Sequence, residues 1–204
     1  MKNIYLPFKS KILNIKKHTE TDYTFRMEFE GDVKPGQFFE VSIPKFGESP
    51  ISVSEIGEGY VDLTIRRVGT VTDVIHSFFV GGTLFLRGPY GNGFDVNIYK
   101  GKEIIVAAGG TGLAPVKGIV DYFAKYPKQC KDFNVMAGFK SPSDILFKDN
   151  FKLWEKSINV ILTVDGADDD YTGNVGLITK YIESIPVIDM DEVQVIVVGP
   201  PMML

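Results

Sequence analysis

Val106-Ala107-Ala108-Gly109-Gly110-Thr111-Gly112-Leu113-Ala114-Pro115 decides how the rest of this chain is read. From Glu103 to Ala108 the run is almost wholly apolar, as expected of a strand buried on both faces. It enters a glycine-rich turn, and Val116, Ile119, Val120 and Phe123 then recur at helical spacing. Glycines let a backbone approach a pyrophosphate, and free N–H groups at a helix start attract its charge. Pro115 suits a first turn, where its missing N–H costs nothing. It also stands where a GxGxxG fingerprint has its third glycine, so that fingerprint is absent. The alternative reading is a tight strand–helix turn with no ligand.

Downstream the alternation continues. Strands are expected over 133–139, 157–164 and 193–198, and helices over 149–156 and 175–185. Such alternation implies parallel βαβ units. Two further turns, Gly138-Phe139-Lys140-Ser141-Pro142 and Gly199-Pro200-Pro201-Met202, follow predicted strands at their carboxyl ends, where open α/β sheets bind ligands.

Upstream the period changes to two. Tyr23, Phe25, Met27 and Phe29 alternate with polar residues; so do Phe39, Val41 and Ile43, then Val61, Leu63 and Ile65. Lys34-Pro35-Gly36 reads as a type II turn, and Leu84 and Leu86 follow Gly81-Gly82. Short strands punctuated by Gly and Pro argue for a small antiparallel barrel. A helix over 71–79 is the one exception. The expected architecture is therefore a two-domain β + α/β chain: a β-barrel over 1–100, then a parallel-sheet nucleotide-binding domain over 101–204. The boundary is expected near Tyr99-Lys100-Gly101-Lys102.

Composition agrees with a soluble globular chain. The 204 residues are 44% hydrophobic and 24% charged, enough for one domain or two small ones. A net charge of −4 argues against nucleic acid as a partner. No apolar run approaches the ~20 residues that cross a bilayer. The single cysteine, Cys130, excludes an intrachain disulfide and a multi-cysteine metal site, and a cytoplasmic setting is expected. His18, His76 and Cys130 read as structural. Asp165 with Asp168-Asp169-Asp170 reads as a solvated acidic loop, since EF-hand spacing is missing. No Ser–His–Asp or Cys–His arrangement is legible, so redox or group-transfer power would come from cofactors.

All four arginines (Arg26, Arg66, Arg67, Arg87) lie in the first half. Arg66 falls on the opposite strand face from Leu63 and Ile65, where it can meet solvent or a phosphate; a plain surface arginine pair is the alternative. Gly88-Pro89-Tyr90-Gly91-Asn92-Gly93-Phe94 reads as a hairpin turn or as the lining of an interdomain cleft. The ending Val198-Gly199-Pro200-Pro201-Met202-Met203-Leu204 suggests a fragment.

Pro50-Ile51-Ser52-Val53-Ser54, Arg66-Arg67-Val68-Gly69-Thr70-Val71-Thr72, Gly109-Gly110-Thr111-Gly112-Leu113-Ala114-Pro115 and Gly199-Pro200-Pro201-Met202 together resemble the ferredoxin–NADP reductase superfamily. Within it, Gly47-Glu48-Ser49-Pro50-Ile51-Ser52-Val53-Ser54, Arg87-Gly88-Pro89-Tyr90-Gly91-Asn92-Gly93 and Val197-Val198-Gly199-Pro200-Pro201 most resemble the B subunits of anaerobic sulfite reductases, with sulfhydrogenase gamma subunits and dihydroorotate dehydrogenase electron-transfer subunits as near kin. The resemblance implies an FAD-binding barrel and a domain for NAD(P)H. Electrons would pass from NAD(P)H through FAD, and in full-length members through a [2Fe–2S] cluster, to partner subunits that reduce sulfite to sulfide. Pro50, Ile51, Ser52 and Val53 would line the flavin, with Ser52 near the isoalloxazine. Gly69, Val71 and Thr72 would hold the FAD pyrophosphate. Gly110, Thr111, Gly112 and Pro115 would take that of the nicotinamide nucleotide, with Gly199, Pro200, Pro201 and Met202 beside the nicotinamide.

Three departures matter. Ser49 stands where the family's flavin motif begins with an arginine, so Arg66 or Arg67 would have to supply the positive charge. Val198 replaces a cysteine frequent before Gly-Pro-Pro, which excludes a thiol role there. No cysteine cluster is present for [2Fe–2S]. Residues 101–204 contain no arginine for a 2′-phosphate, and Lys140 is a weaker substitute, so NADH is expected over NADPH. The alternatives are the gamma subunit of a sulfhydrogenase and a non-catalytic flavin- or nucleotide-binding module.

Overall fold

A computed structural model describes residues 5–185, 192–201 and 203. The chain divides into two compact units, Met1–Phe94 and Asp95–Leu204. The division precedes the expected Tyr99–Lys102 boundary. A 3-10 turn at Val96–Tyr99 falls in the second unit, and Gly101 N–H and Lys131 N–H tie the next residues there by bonds to Gln129 O and Lys102 O.

The first unit is a closed antiparallel barrel. Its strands are β1 (Phe8–Lys17), β2 (Asp22–Glu28), β3 (Phe38–Ile43), β4 (Gly47–Gly57), β5 (Tyr60–Arg66) and β6 (Thr83–Tyr90), ordered β1-β2-β5-β4-β3-β6. Alternation fills it: Phe25 and Met27 of β2, Phe39 and Val41 of β3, and Val61, Leu63 and Ile65 of β5 all point into one core. The type II turn is present, with Gly36 at φ +81 and Gln37 N–H bonded to Lys34 O. On the outer face hydroxyls join strands. Thr64 Oγ1 pairs with Thr24 Oγ1 and donates to Ser54 Oγ, each at 2.8 Å, while Arg26 makes a two-point bond to Asp62.

Helix α1 (Thr70–Ile75) is shorter than the expected 71–79; Ser77 and Phe78 continue as turns, bonded to Val74 O and Ile75 O. The Gly88–Phe94 stretch is no hairpin. It folds back on the Lys34–Gln37 turn, with Phe94 N–H on Pro35 O and Gln37 Nε2 on Gly91 O.

The second unit is a five-stranded parallel sheet with β7 (Glu103–Gly109), β8 (Asp132–Phe139), β9 (Asn159–Val164), β10 (Asn174–Val175) and β11 (Val193–Val198), ordered β10-β9-β8-β7-β11. Helices α2 (Leu113–Lys125) and α3 (Lys148–Trp154) join its strands. The expected helix over 175–185 is replaced by β10 and a 3-10 segment, Ile178–Ser184. Gly176 explains the difference. Its φ of +128 breaks a helix, its N–H bonds Val164 O, and its carbonyl accepts the Thr163 hydroxyl at 2.6 Å. Among the described residues no helix is long and apolar enough to cross a membrane.

Candidate functional site

Register divides the flavin-type motif on β4 between two faces. Ile51 pairs with Phe39, and both belong to the barrel core together with Val53. These two side chains support the strand from inside, so within the expected lining only Pro50 and Ser52 turn their side chains outward. Pro50 and Ser52 face outward, opposite Glu40 and Phe38. Phe38 also pairs with Tyr90 of β6, ring centroids 5.7 Å apart. Ser52, Phe38 and Tyr90 thus form a row across three strands, and the Ser52 hydroxyl has no hydrogen-bond partner among the described residues. Arg87 flanks the row, donating to Tyr90 Oη at 3.0 Å and to Glu48 Oε1 at 2.6 Å. Sequence reasoning missed Phe38, Tyr90 and Arg87 as a group. Tyr90 and Arg87 lie in or beside the quoted Gly88–Phe94 stretch, but only strand pairing sets them by Ser52.

At α1, Gly69 is the extended N-cap, and a side chain there would meet open space. Thr72 Oγ1 accepts the N–H groups of Val68 and Gly69 at 3.0 Å each and donates to Gly69 O. The Thr72 hydroxyl therefore shapes the turn. The amides of Thr70 and Val71, as first-turn groups, have no helical acceptor. Val71 lies against Gly47, so the β3–β4 turn borders the helix start.

The two arginines are placed differently. Arg66 makes a two-point bond, at 2.8 and 3.0 Å, to the fully buried Asp22, which also accepts the Thr19 and Thr21 hydroxyls. Burial works to raise the Asp22 pKa, but the bonds from Arg66 and Thr19 and the Arg66 charge hold it below the usual carboxylate value. Arg66 is committed to a structural carboxylate. Arg67 is exposed and bonds Asp73 of α1 at 2.8 Å.

In the second unit the chain leaves β7 at the switch point of the sheet, with β8 on one side and β11 on the other. Gly110 adopts φ +55, a conformation glycine takes without penalty, and Gly110–Gly112 form a 3-10 turn leading into α2. Pro115 is the third residue of α2, within the set that lacks helical acceptors. Gly112 meets a different constraint, for a Cβ there would lie 2.5 Å from Val198 O of β11. Gly109 would meet Met203 Sδ at 2.6 Å and Pro200 at 3.0 Å. Tight packing on the Gly199–Pro201 turn thus accounts for two of the three glycines. Met202 lies outside the described residues. After β8, Lys140 is exposed, and Ser141 Oγ donates to Asp144 Oδ2 at 2.6 Å and pairs with Ser143 Oγ. The Asp144 carboxylate, overlooked in the sequence, is signalled only by the Ser141-x-x-Asp144 spacing.

An antiparallel six-stranded barrel followed by this parallel sheet is the ferredoxin reductase-like FAD/NAD-binding fold. A ferredoxin NADP+ reductase from Neisseria gonorrhoeae, solved with bound FAD and NADP, superposes with a TM-score of 0.81 at 19% identity, covering 97% of this chain and 87% of that one. Residues 106–204 match the family described as Oxidoreductase NAD-binding domain. The chain is similar to subunits of two kinds of redox enzyme. It is 37% identical over 155 residues to the Sulfhydrogenase 2 subunit gamma of Pyrococcus furiosus, covering 72% of this chain and 54% of the relative. It is 32% identical over 158 residues to a probable dihydroorotate dehydrogenase B (NAD(+)) electron transfer subunit of Thermoplasma volcanium, covering 78% and 57%. The chain thus spans little more than half the length of these relatives.

Proposed function

We propose that this chain is an FAD-dependent electron-transfer module that oxidises NADH and delivers the electrons to a partner subunit. The observation that carries this reading is the open Ser52 hydroxyl beside Phe38 and Tyr90 on a closed barrel, in one chain with a glycine turn at the switch point of a parallel sheet. FAD held by the barrel would accept a hydride from NADH and release its electrons singly.

Pro50 and Ser52, with Phe38 and Tyr90, would provide an apolar wall and one hydrogen bond for the flavin ring, with Ile51 and Val53 behind them. The FAD pyrophosphate would rest at Gly69 on the Thr70 and Val71 amides, in a turn braced by Thr72. Arg67 is the nearer candidate for positive charge there, because Arg66 already serves Asp22. The nucleotide pyrophosphate would meet Gly110, Thr111, Gly112 and Pro115, with Gly199, Pro200, Pro201 and Met202 beside the nicotinamide. Asp144 would accept bonds from the adenosine ribose and repel a 2′-phosphate, and the exposed Lys140, lacking a guanidinium's fork, would offset it poorly, which favours NADH. With one cysteine in the chain, these residues do not provide a [2Fe–2S] ligand set, and no step is routed through a cluster.

The partner would be a further subunit of a redox complex. The relatives favour an assembly of the sulfhydrogenase or dihydroorotate dehydrogenase kind. A sulfite-reducing complex, whose B subunits the Gly47–Ser54, Arg87–Gly93 and Val197–Pro201 motifs resemble, is the second reading.

The test is reconstitution. The purified chain mixed with FAD and passed over a desalting column should retain a flavin spectrum that NADH bleaches without air and ferricyanide restores. Colourless protein after FAD treatment, or bound flavin that NADH leaves oxidised, would overturn the proposal.

A further inference from the structure

Helix α2 carries a lysine on its buried side. Lys117 is 2% exposed on a helix whose Val116, Ile119 and Val120 are wholly buried. Its ammonium bonds Asp121 Oδ2 one turn on, at 2.7 Å, and lies 5.6 Å from the centroid of the Phe147 ring. The other Asp121 oxygen, Oδ1, accepts the indole N–H of Trp154 at 2.7 Å, and Trp154 of α3 is itself 2% exposed. A buried ammonium thus meets a carboxylate that is one-third exposed, where α2, the segment after β8 and α3 meet.

Stability is a poor reason for such a pair. Burying the lysine ammonium costs desolvation, and an apolar side chain of similar volume can take its place and leave Asp121 to the solvent and to Trp154. What the pair touches suggests another reason. Phe147 precedes α3 in the left-handed region, at φ 52 and ψ 37, which residues with a Cβ seldom occupy. It ends the buried run Ile145, Leu146 and Phe147, which begins one residue after Asp144. Asp144 in turn holds Ser141, so the whole 141–147 segment hangs between β8 and this anchor.

We infer that Lys117 is a positioning residue: through Phe147 and the Asp121–Trp154 bond it fixes the 141–147 segment, and with it the Asp144 carboxylate, against the helix whose first turn receives the pyrophosphate. It thereby sets the affinity for NADH and its discrimination from NADPH. This rests on the nucleotide reading proposed above.

The experiment uses the full chain reconstituted with FAD, following NADH and NADPH oxidation with ferricyanide as acceptor. Lys117→Met keeps the volume and removes the charge. It should raise the KM for NADH roughly five- to tenfold, change kcat less than about twofold, and narrow the NADH-to-NADPH preference by a similar factor. Its Tm should hold or rise. Lys117→Arg, which can keep both the Asp121 bond and the ring contact, should restore the preference. Phe147→Leu should reproduce the loss without touching a charge. A lysine that serves packing alone would lower Tm in Lys117→Met and leave the preference where it was; that result overturns the inference. Should Lys117→Met fail to fold, an unaltered preference in Phe147→Leu overturns it equally. Wild-type protein that binds FAD but oxidises neither nucleotide defeats the functional reading itself, and this inference with it.

Discussion

Gly109 and Gly112 stand three positions apart in one turn, yet what forbids a side chain differs in kind at each. At Gly112 the obstacle is backbone, the Val198 carbonyl oxygen at 2.5 Å and its carbon at 2.8 Å. At Gly109 the nearest obstacle is the far end of Met203, which can swing away. Gly112→Ala should therefore cost about 1–3 kcal/mol, by pushing the β11 turn out, and Gly109→Ala distinctly less. Urea midpoints of the two variants decide it, and equal losses would refute the distinction. Arg66 yields a second expectation. Arg66→Ala strands a fully buried carboxylate, so stability should fall by roughly 2–3 kcal/mol, below the figure for a wholly buried pair because the guanidinium is one-third exposed. Denaturant melts of Arg66→Ala and Arg66→Ala/Asp22→Asn test this: the second variant should recover much of the loss. A period of two shows that Arg66 faces out of the barrel. It cannot show that Asp22, 44 positions away, pairs with it across β2 and β5.

At the scale of elements, strong periodicity was readable and local exceptions were not. The barrel strands and the alternation of strands and helices from β7 to β9 follow from apolar spacing. The expected helix over 175–185 failed because its apolar spacing competes with a glycine that must turn left-handed and with a bond from Thr163, a partner on another strand. The Pro50–Val53 motif was legible as a unit, but alternation splits it between core and surface. Helix α1 carries a consequence for pH at its C-cap, His76. The ring lies 4.5 Å from Tyr23 and 5.7 Å from Phe25, and Nε2 sits 2.9 Å from Ile65 O. Burial pushes the His76 pKa below its ordinary 6.5 and the Arg67 charge adds to this, against the opposing Ile65 bond. The folded state thus favours the neutral ring. Its stabilisation is present above about pH 6.5 and is lost as pH falls through that value toward the lower folded one. The melting temperature of the wild type should drop between pH 7 and pH 5 by circular dichroism. His76→Gln should flatten that slope, and an equal slope in the variant would show that the titration lies elsewhere.

The whole molecule shows two cores in one chain, and the sequence announced both through its change of period near residue 100. It could not place the division to the residue, because the bonds that tie 101 and 102 to 129 and 131 join the ends of separate elements. This duality permits a test in which each ligand reports on its own unit. Trp154 is the only tryptophan of the chain, and it is buried in the second unit beside the segment proposed to meet the nucleotide. Its fluorescence therefore follows the unfolding of that unit alone. A ligand that binds only the folded form stabilises it by RT ln(1 + [L]/Kd), about 2.7 kcal/mol at a hundredfold excess over Kd. NAD+ at that excess should move the Trp154 denaturation midpoint upward by the corresponding amount. Inorganic pyrophosphate, which in this unit would engage only the Gly110–Pro115 turn, should move it by less. Lys117→Met, with its nucleotide affinity reduced, should require a proportionately higher NAD+ concentration for the same shift. A Trp154 midpoint indifferent to NAD+ would remove the nucleotide from this unit, even if the barrel proved to bind flavin tightly.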